Sequence, residues 1–324
     1  MGKKLIIKKD RAKKTVLISA GGTATAWFLV KTIQQFFSKN FIVIVTDLKP
    51  KELIPASKLS DYFYQVPEGI EERYIKFLEI FEKHGVNFFI PLADEDLKLF
   101  YRDNFDLLNR KVVSTSPPKA TVEKVGDKLD LFKFCQLENI NTPRVYWVSE
   151  LEENQKYLVK LKDAFGSREV RIIRGEEIKF LDLPWERYII QEICYPPELT
   201  VEIFFYQNKL SYVIRERLEV KAGVCTKARF VKDNEIEEII YKIAKKLELP
   251  MISCLQFMRN DRGWALTDFN LRMGAGSALS AKAGWHSAKA LFTALLEKED
   301  PFIYLIEPKE GTIIVRVYEE LLMS

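Results

Sequence analysis

Asp268-Phe269-Asn270-Leu271-Arg272, followed by Gly274, Gly276 and the run Ser277-Ala278-Leu279-Ser280-Ala281-Lys282-Ala283-Gly284, sets a carboxylate, an amide and a guanidinium at alternate positions. Residues 251–258 (MISCLQFM) and 264–269 (WALTDF) read as adjacent β-strands joined by the turn-prone Asn260-Asp261-Arg262-Gly263. Side chains alternate along a strand, so Asp268 and Asn270 share a face, Arg272 continues it, and Gln256 on the partner strand is expected opposite them. Three oxygen donors would then converge. Such a set suits Mg²⁺ or Mn²⁺ bridging to nucleotide phosphates, with Arg272 placed to hold a phosphate or the charge that develops in transfer. On spacing alone the alternative is a surface hairpin with ordinary polar residues.

The surrounding chain is long enough, at 324 residues, to bury a large core and divide into two or three domains. With 47% hydrophobic and 30% charged residues it has the composition of a globular protein. The 50 basic and 46 acidic residues nearly balance, so nothing electrostatic argues for nucleic-acid binding, and the basic start from Lys3 to Lys14 reads as a solvated end. No apolar run reaches membrane-spanning length and no signal-like segment opens the chain, so a cytoplasmic location is expected. Cys135, Cys194, Cys225 and Cys254 form no CxxC pair and fit reduced, mostly buried thiols. His84 and His286 are too few for imidazole metal sites or a histidine-based triad.

Toward the N-terminus, residues 15–20 (TVLISA) form an apolar run ending in Gly21-Gly22 and opening into the amphipathic stretch Trp27 to Phe37. A second run, 41–46 (FIVIVT), ends at Asp47, and a third, Val86 to Ile90, follows the helical pattern Tyr74 to Lys83. Strands alternating with helices predict a parallel, doubly wound sheet over roughly residues 15–115. GGTATA is neither GxGxxG nor a P-loop, so Gly21 and Gly22 carry little beyond a tight turn. Ser114 to Pro118 (STSPP) reads as a linker into a second unit.

In that unit Asp127 to Asn139 is expected to be helical, with a strand near Val145. Short strands at Tyr157–Lys160 and Val170–Ile173 flank Asp163-Ala164-Phe165-Gly166-Ser167-Arg168. Such a loop can fold over phosphates, although most are merely turns. Residues 188–206 read as strand, Pro-Pro interruption, strand; 235–248 as a helix with Ile236, Ile239, Ile240, Ile243, Ala244 and Leu247 facing the core; 280–297 as another helix; and 312–317 as a last strand. There is no internal repeat or low-complexity tract.

Taken in order, these pieces resemble the ATP-grasp superfamily, in the branch similar to the large subunit of carbamoyl-phosphate synthase and to the ATP-grasp ligase of pyrrolysine biosynthesis. The likeness covers nearly all of residues 15–297. In the N-terminal unit it rests on Asp47, Pro55-Ala56-Ser57, Ser60-Asp61-Tyr62 and Val66-Pro67. It implies an α/β and α+β architecture: an N-terminal doubly wound parallel sheet (pre-ATP-grasp, 1–115), then a two-subdomain ATP-grasp fold (about 116–185 and 186–324).

By the same resemblance Lys128 in Gly126-Asp127-Lys128 and Lys160 in Leu158-Val159-Lys160 contact nucleotide phosphate, and Phe165-Gly166-Ser167-Arg168 forms the phosphate-covering loop. Gln191-Glu192-Ile193 is the hinge whose backbone receives adenine, and Glu198 holds the ribose. Arg217 and Arg272 face the reaction, and Gln256, Asp268 and Asn270 hold metal. Three positions depart from the pattern: Asp268 stands for glutamate, Leu271 for proline, and Glu169 for glycine.

The implied cofactors are ATP with Mg²⁺ or Mn²⁺. The implied partners are a small-molecule carboxylate and an amine, with no nucleic acid and no membrane, and a homodimer is expected from general frequency. The implied reaction is carboxylate–amine ligation through an acyl phosphate. One chain is too short for the two ATP modules of a carbamoyl-phosphate synthase. Two alternatives stand beside it: an NAD(P)-dependent oxidoreductase built on Gly21, Gly22 and Asp47, and an ATP-binding regulator that kept the fold and lost turnover, favoured by Asp268 and Glu169.

Overall fold

Short apolar β-branched runs alternating with amphipathic helices build the first layer of the molecule. The computed structural model describes residues 12–162 and 170–323, so Gly166, Ser167, Arg168 and Glu169 lie outside the described residues. Strands β1 (Lys14–Ile18), β2 (Phe41–Asp47), β3 (Tyr62–Gln65), β4 (Phe88–Ile90) and β5 (Val113–Ser114) form a parallel sheet in the order β3-β2-β1-β4-β5. Between them run α1 (Ala24–Phe36), capped by the Thr23 hydroxyl, α2 (Ile70–His84), ended by Gly85 at φ 55°, α3 (Asp94–Leu99) and α4 (Phe105–Asn109). The order reverses at β1 and β4, so the crevice at their carboxyl ends is where such a sheet receives ligands.

Next come α5 (Lys119–Val125) and α6 (Lys128–Leu137), then a small antiparallel sheet. It is made of β6 (Val145–Tyr146), β7 (Lys156–Leu161), β8 (Arg171–Arg174) and β9 (Tyr188–Gln191) in the order β6-β9-β7-β8, with the short α7 (Gly175–Ile178). The large antiparallel sheet contains β10 (Tyr195–Tyr206), β11 (Lys209–Lys221), β12 (Val224–Val231), β13 (Ile252–Asn260), β14 (Gly263–Asn270) and β15 (Ile313–Val315), ordered β14-β13-β10-β11-β12-β15. Helix α8 (Asn234–Lys246) covers one face through Ile236, Ile240 and Ile243, with Ile239 and Ala244 packed at the margin. Helices α9 (Ser277–Lys282) and α10 (Ser287–Leu296) follow β14.

Two apolar layers hold the sheets together. One joins α1, the inner side of the parallel sheet and α10 to Phe204, Val213, Phe230 and Ile252 of the large sheet, with Trp285 and Phe292 fully buried between. The other lies across the large sheet, under α5, α6 and α8. Docking through α10 is what brings the carboxyl ends of β1 and β4 against the end of β14.

Two expectations change. The helix over 280–297 is two helices, because Gly284 takes φ 115° and Trp285 pairs with Leu305 in an isolated antiparallel bridge. Burying Trp285 therefore breaks the helix. The residues read as a linker are packed: Ser114 and Ser116 are buried and bond each other at 2.9 Å, closing the edge of the parallel sheet.

Candidate active site

The hairpin that opened the reading has a fault in it on which its chemistry depends. From its turn outward β13 and β14 pair Asn260 with Gly263, Arg259 with Trp264 and Phe257 with Leu266; then Gln256 pairs with Asp268. Thr267 is the extra residue of a β-bulge, its hydroxyl donating to the Gln256 carbonyl at 3.1 Å. Before the bulge Trp264 and Leu266 enter the apolar layer under α8, and beyond it Phe269 and Leu271 do. The bulge thus turns Asp268 and Asn270 onto the opposite face, with Gln256. Leu271, which departs from the proline of the family pattern, is a buried member of that apolar layer.

From this face a hydrogen-bonded chain of side chains crosses four strands and a domain. Asp94 Oδ1 accepts from Arg272 Nε at 2.7 Å; Arg272 Nη2 donates to Asn270 Oδ1 at 3.3 Å; Asn270 Nδ2 donates to Asp268 Oδ2 at 3.2 Å. In the amide orientation that satisfies both ends, Gln256 donates to Asp268 Oδ2 (3.3 Å) and accepts from Arg217 Nη1 (3.1 Å). Arg217 closes the chain on Glu198 and donates to the Gly223 carbonyl at 2.9 Å. Burial pushes the Asp94 carboxyl up against the opposing pull of Arg272. Arg272 keeps its charge: burial opposes it most, and Asp94, Cys254 and Asp268 together outweigh that burial.

Two lysines face this chain. Lys128 opens α6 behind its N-cap Asp127, and its Nζ donates to the Lys162 carbonyl at 3.2 Å. Lys160 lies on β7, where burial lowers its pKa to about 8, Asp268 pulling it up and Lys128 down. Asp94, Lys98, Asp127, Lys128, Lys162, Asp268 and Asn270 line one cleft. The structure therefore brings together Lys128, Lys160, Asp268, Asn270, Gln256, Arg272 and Arg217.

At the expected hinge, the Glu192 side chain is already committed. It accepts from Arg144 N (3.0 Å), Asn260 Nδ2 (3.2 Å) and Arg262 Nη2 (2.7 Å), tying β9 to the β13–β14 turn, and Glu192 N–H bonds the Arg144 carbonyl at 2.9 Å. Ile193 makes no backbone–backbone hydrogen bond among the described residues, and the buried Gln191 Oε1 has no partner. Glu198, expected at the ribose, is engaged by Arg217.

Residues absent from the sequence reading also contribute. Asp94, at the carboxyl end of β4 beside the crevice where strand order reverses, has a signal in that position. Lys162 lies two residues beyond Lys160, on the same side of an extended segment. For a metal, the described residues hold no cluster of three or more His, Cys, Asp or Glu. The Asp268 carboxylate nonetheless suits Mg²⁺, which is commonly held by one or two carboxylates and otherwise by substrate phosphates and water; both flanking amides turn their N–H groups to Asp268 and their oxygens to Arg272 and Arg217, so each would ligate only after turning over.

At the N-terminus, Asp47 spends its carboxylate on the turn after β1. Oδ2 accepts from Gly22 N–H at 2.8 Å and Oδ1 from Lys49 N–H at 2.9 Å. A Cβ on Gly21 would lie 2.9 Å from Ile54 Cγ2, so close approach of the backbone requires that glycine.

Comparison with known proteins agrees with this fold. Residues 16–112 match the model of the PylC-like N-terminal domain, and residues 125–276 that of the ATP-grasp domain. The fold is similar to an L-amino acid ligase from Bacillus licheniformis (TM-score 0.67, 13% identity, 90% of this chain and 78% of that one). It is also similar to a carboxyaminoimidazole ribonucleotide synthase from Aspergillus clavatus solved with ATP (0.70, 14%, 94% and 81%). A third likeness is to the biotin carboxylase domain of Hydrogenobacter thermophilus 2-oxoglutarate carboxylase, solved with MgADP and bicarbonate (0.67, 12%, 89% and 71%). At these identities the likeness is one of fold. No curated protein matched in sequence.

Proposed function

We propose that this ATP-grasp protein, with a PylC-like N-terminal domain ahead of its ATP-grasp domain, is an ATP-using carbon–nitrogen ligase that joins a carboxylate to an amine through an acyl phosphate. The observation that carries this reading is the side-chain chain from Asp94 through Arg272, Asn270, Asp268 and Gln256 to Arg217, faced by Lys128 and Lys160. It supplies cations for a polyphosphate on one side and, below it, a carboxylate that suits a metal ion.

In this reading Lys128 and Lys160, with Arg168 of the covering loop, take the phosphates, and Gln191, Glu192 and Ile193 seat the adenine. Asp268, Asn270 and Gln256 would hold Mg²⁺ or Mn²⁺, which supplies neutralisation of phosphate charge when bound. A carboxylate oxygen attacks the γ-phosphorus as the bond to the ADP oxygen breaks, giving an acyl phosphate. The amine lone pair then attacks the acyl carbon, inorganic phosphate leaves with the C–O electrons, and the nitrogen loses a proton. Arg272, oriented by Asp94, stabilises the transferring group, with Arg217 assisting. The protein's part is positioning and charge, with no covalent nucleophile.

The working units are 1–115, 116–185 and 186–324, and the reading includes a cytoplasmic location and a homodimer. Among the described residues no helix is long and apolar enough to cross a membrane. The oxidoreductase alternative loses its anchor, since Asp47 is occupied by Gly22 and Lys49. The test is phosphate release from ATP and Mg²⁺ across a panel of carboxylic acids with and without amines, in wild type and Asn270→Ala. Acid-dependent release abolished by the substitution supports the reading; release independent of any acid, or untouched by the substitution, sinks it.

A further inference from the structure

Between β9 of the small sheet and β10 of the large one the chain passes through Glu192, Ile193 and Cys194. Ile193 makes no backbone–backbone hydrogen bond among the described residues, so the direction of this crossing is set at Glu192. There the backbone N–H donates to the Arg144 carbonyl at 2.9 Å, and the side chain accepts from the Arg144 N–H in return, at 3.0 Å. The same Oε2 accepts from Arg262 Nη2 at 2.7 Å and from Asn260 Nδ2 at 3.2 Å, both at the turn of the β13–β14 hairpin. One carboxylate oxygen thus gathers donors from the loop before β6 and from the hairpin.

The hairpin turn is itself locked to that loop. Arg262 Nη2 also donates to the Thr142 carbonyl at 3.0 Å. Asn141 and Asn260 exchange amide hydrogen bonds at 2.9 and 3.3 Å. Asn141 Nδ2 donates to the Trp264 carbonyl at 3.1 Å, and the Asn141 carbonyl accepts from Leu266 N–H at 2.8 Å. Asn260 is 3% exposed, so its bonds are made away from water. The Arg262 side chain, at 40% exposed, can be exchanged without opening the core. Cys194 places this clasp beside the cleft. Burial pushes its thiol up to about 11 and Glu192 adds to that, while Lys160 and Arg262 oppose it. One thiol therefore neighbours both the cleft lysine and the clasp arginine.

From Arg262 the chain continues through β14 to Asp268, about 20 Å away at the rise of a strand. The hairpin thus carries the clasp at one end and the carboxylate of the phosphate end at the other. We propose that Arg262 is a positioning residue for the nucleotide: by clasping Glu192 to the hairpin turn, it holds the hinge that takes the base at a set distance from the Asp268 end that takes the phosphates. Arg262 acts in this through Glu192. A binding group displaced by about half an ångström is already out of productive geometry, and losing the clasp frees the hinge to shift while the phosphate end stays in place. The proposal rests on the nucleotide reading for what the hinge holds, and not on the ligation chemistry.

The test is equilibrium binding of two probes to the full chain with Mg²⁺: a non-hydrolysable ATP analogue, and inorganic tripolyphosphate, which has neither base nor sugar. Each is titrated into wild type, Arg262→Gln and Arg262→Lys. Arg262→Gln should weaken the ATP analogue by about tenfold, the loss of one charge-assisted hydrogen bond, and leave tripolyphosphate affinity unchanged. Arg262→Lys, which keeps the charge, should recover part of the loss. Equal weakening of both probes would mean a general loosening of the structure, and no weakening of either an idle surface pair; both overturn the proposal. Tripolyphosphate that fails to bind wild type overturns it as well, because the phosphate end would then have no seat independent of the base. A loss confined to the ATP analogue, with no acid-dependent turnover in wild type, leaves the clasp standing and counts against ligation alone. An ATP analogue that does not bind wild type overturns the clasp and the nucleotide reading together.

Discussion

Nucleotide binding should take up a proton, through Lys160. The lysine enters the cleft with its pKa brought down to about 8 by burial, from an ordinary value of 10.5. A polyphosphate against the ammonium would return it to the ordinary range, so binding captures a proton from whatever fraction of the lysine is neutral. At pH 8 that fraction, and hence the uptake, is about one half, and between pH 7 and 9 the affinity for ATP should fall about tenfold, because the protonated fraction drops from about nine-tenths to about one-tenth.

The nucleotide does not contribute to this window, since the terminal phosphate loses its last proton near pH 6 or so. Calorimetry in two buffers of different ionisation enthalpy reads the uptake directly. Lys160→Arg, whose guanidinium stays charged, should flatten the dependence. The same shift sets the sign for folding: between pH 8 and 10.5 the unfolded chain holds this proton and the native chain does not, so the unliganded protein gains stability from this group as pH rises through that window. Uptake near zero at pH 8, or an unchanged pH profile in Lys160→Arg, would refute the assignment.

Other substitutions separate the parts of the site. Asp268→Asn keeps the shape and removes the one carboxylate of the donor set; turnover should drop about a hundredfold or more, with Mg²⁺ dependence shifted to higher concentration in a metal titration. Asp94→Asn removes the charge that orients Arg272 from the other domain, and kcat should fall about tenfold while KM for ATP stays near wild type. Asp47→Asn weakens the turn after β1, lowering Tm in a thermal melt while leaving ATP affinity unchanged; a lost nucleotide affinity would revive the dinucleotide alternative. Trp285→Ala empties the layer between the two large sheets at a cost of about 3–5 kcal/mol by chemical denaturation.

What could be read from the sequence follows the range of the interactions. Asp268 and Asn270 share a face because a strand alternates every residue, and nothing distant is needed to know it. Gln256 opposite Asp268 is different: counted from the Asn260–Gly263 turn, unbroken pairing would set Gln256 against Thr267 and drive Asp268 into the apolar layer. The bulge that corrects this is written in the sequence all the same. Trp264 and Leu266 keep one phase of apolar alternation and Phe269 and Leu271 the other, so one residue between them must be extra.

The Asp94–Arg272 contact, 178 residues apart, carries no comparable mark, because it exists only once α10 has docked the parallel sheet onto the large one. For the same reason the break at Gly284 and the burial of Ser116 escaped a local reading: each is decided by what packs against it.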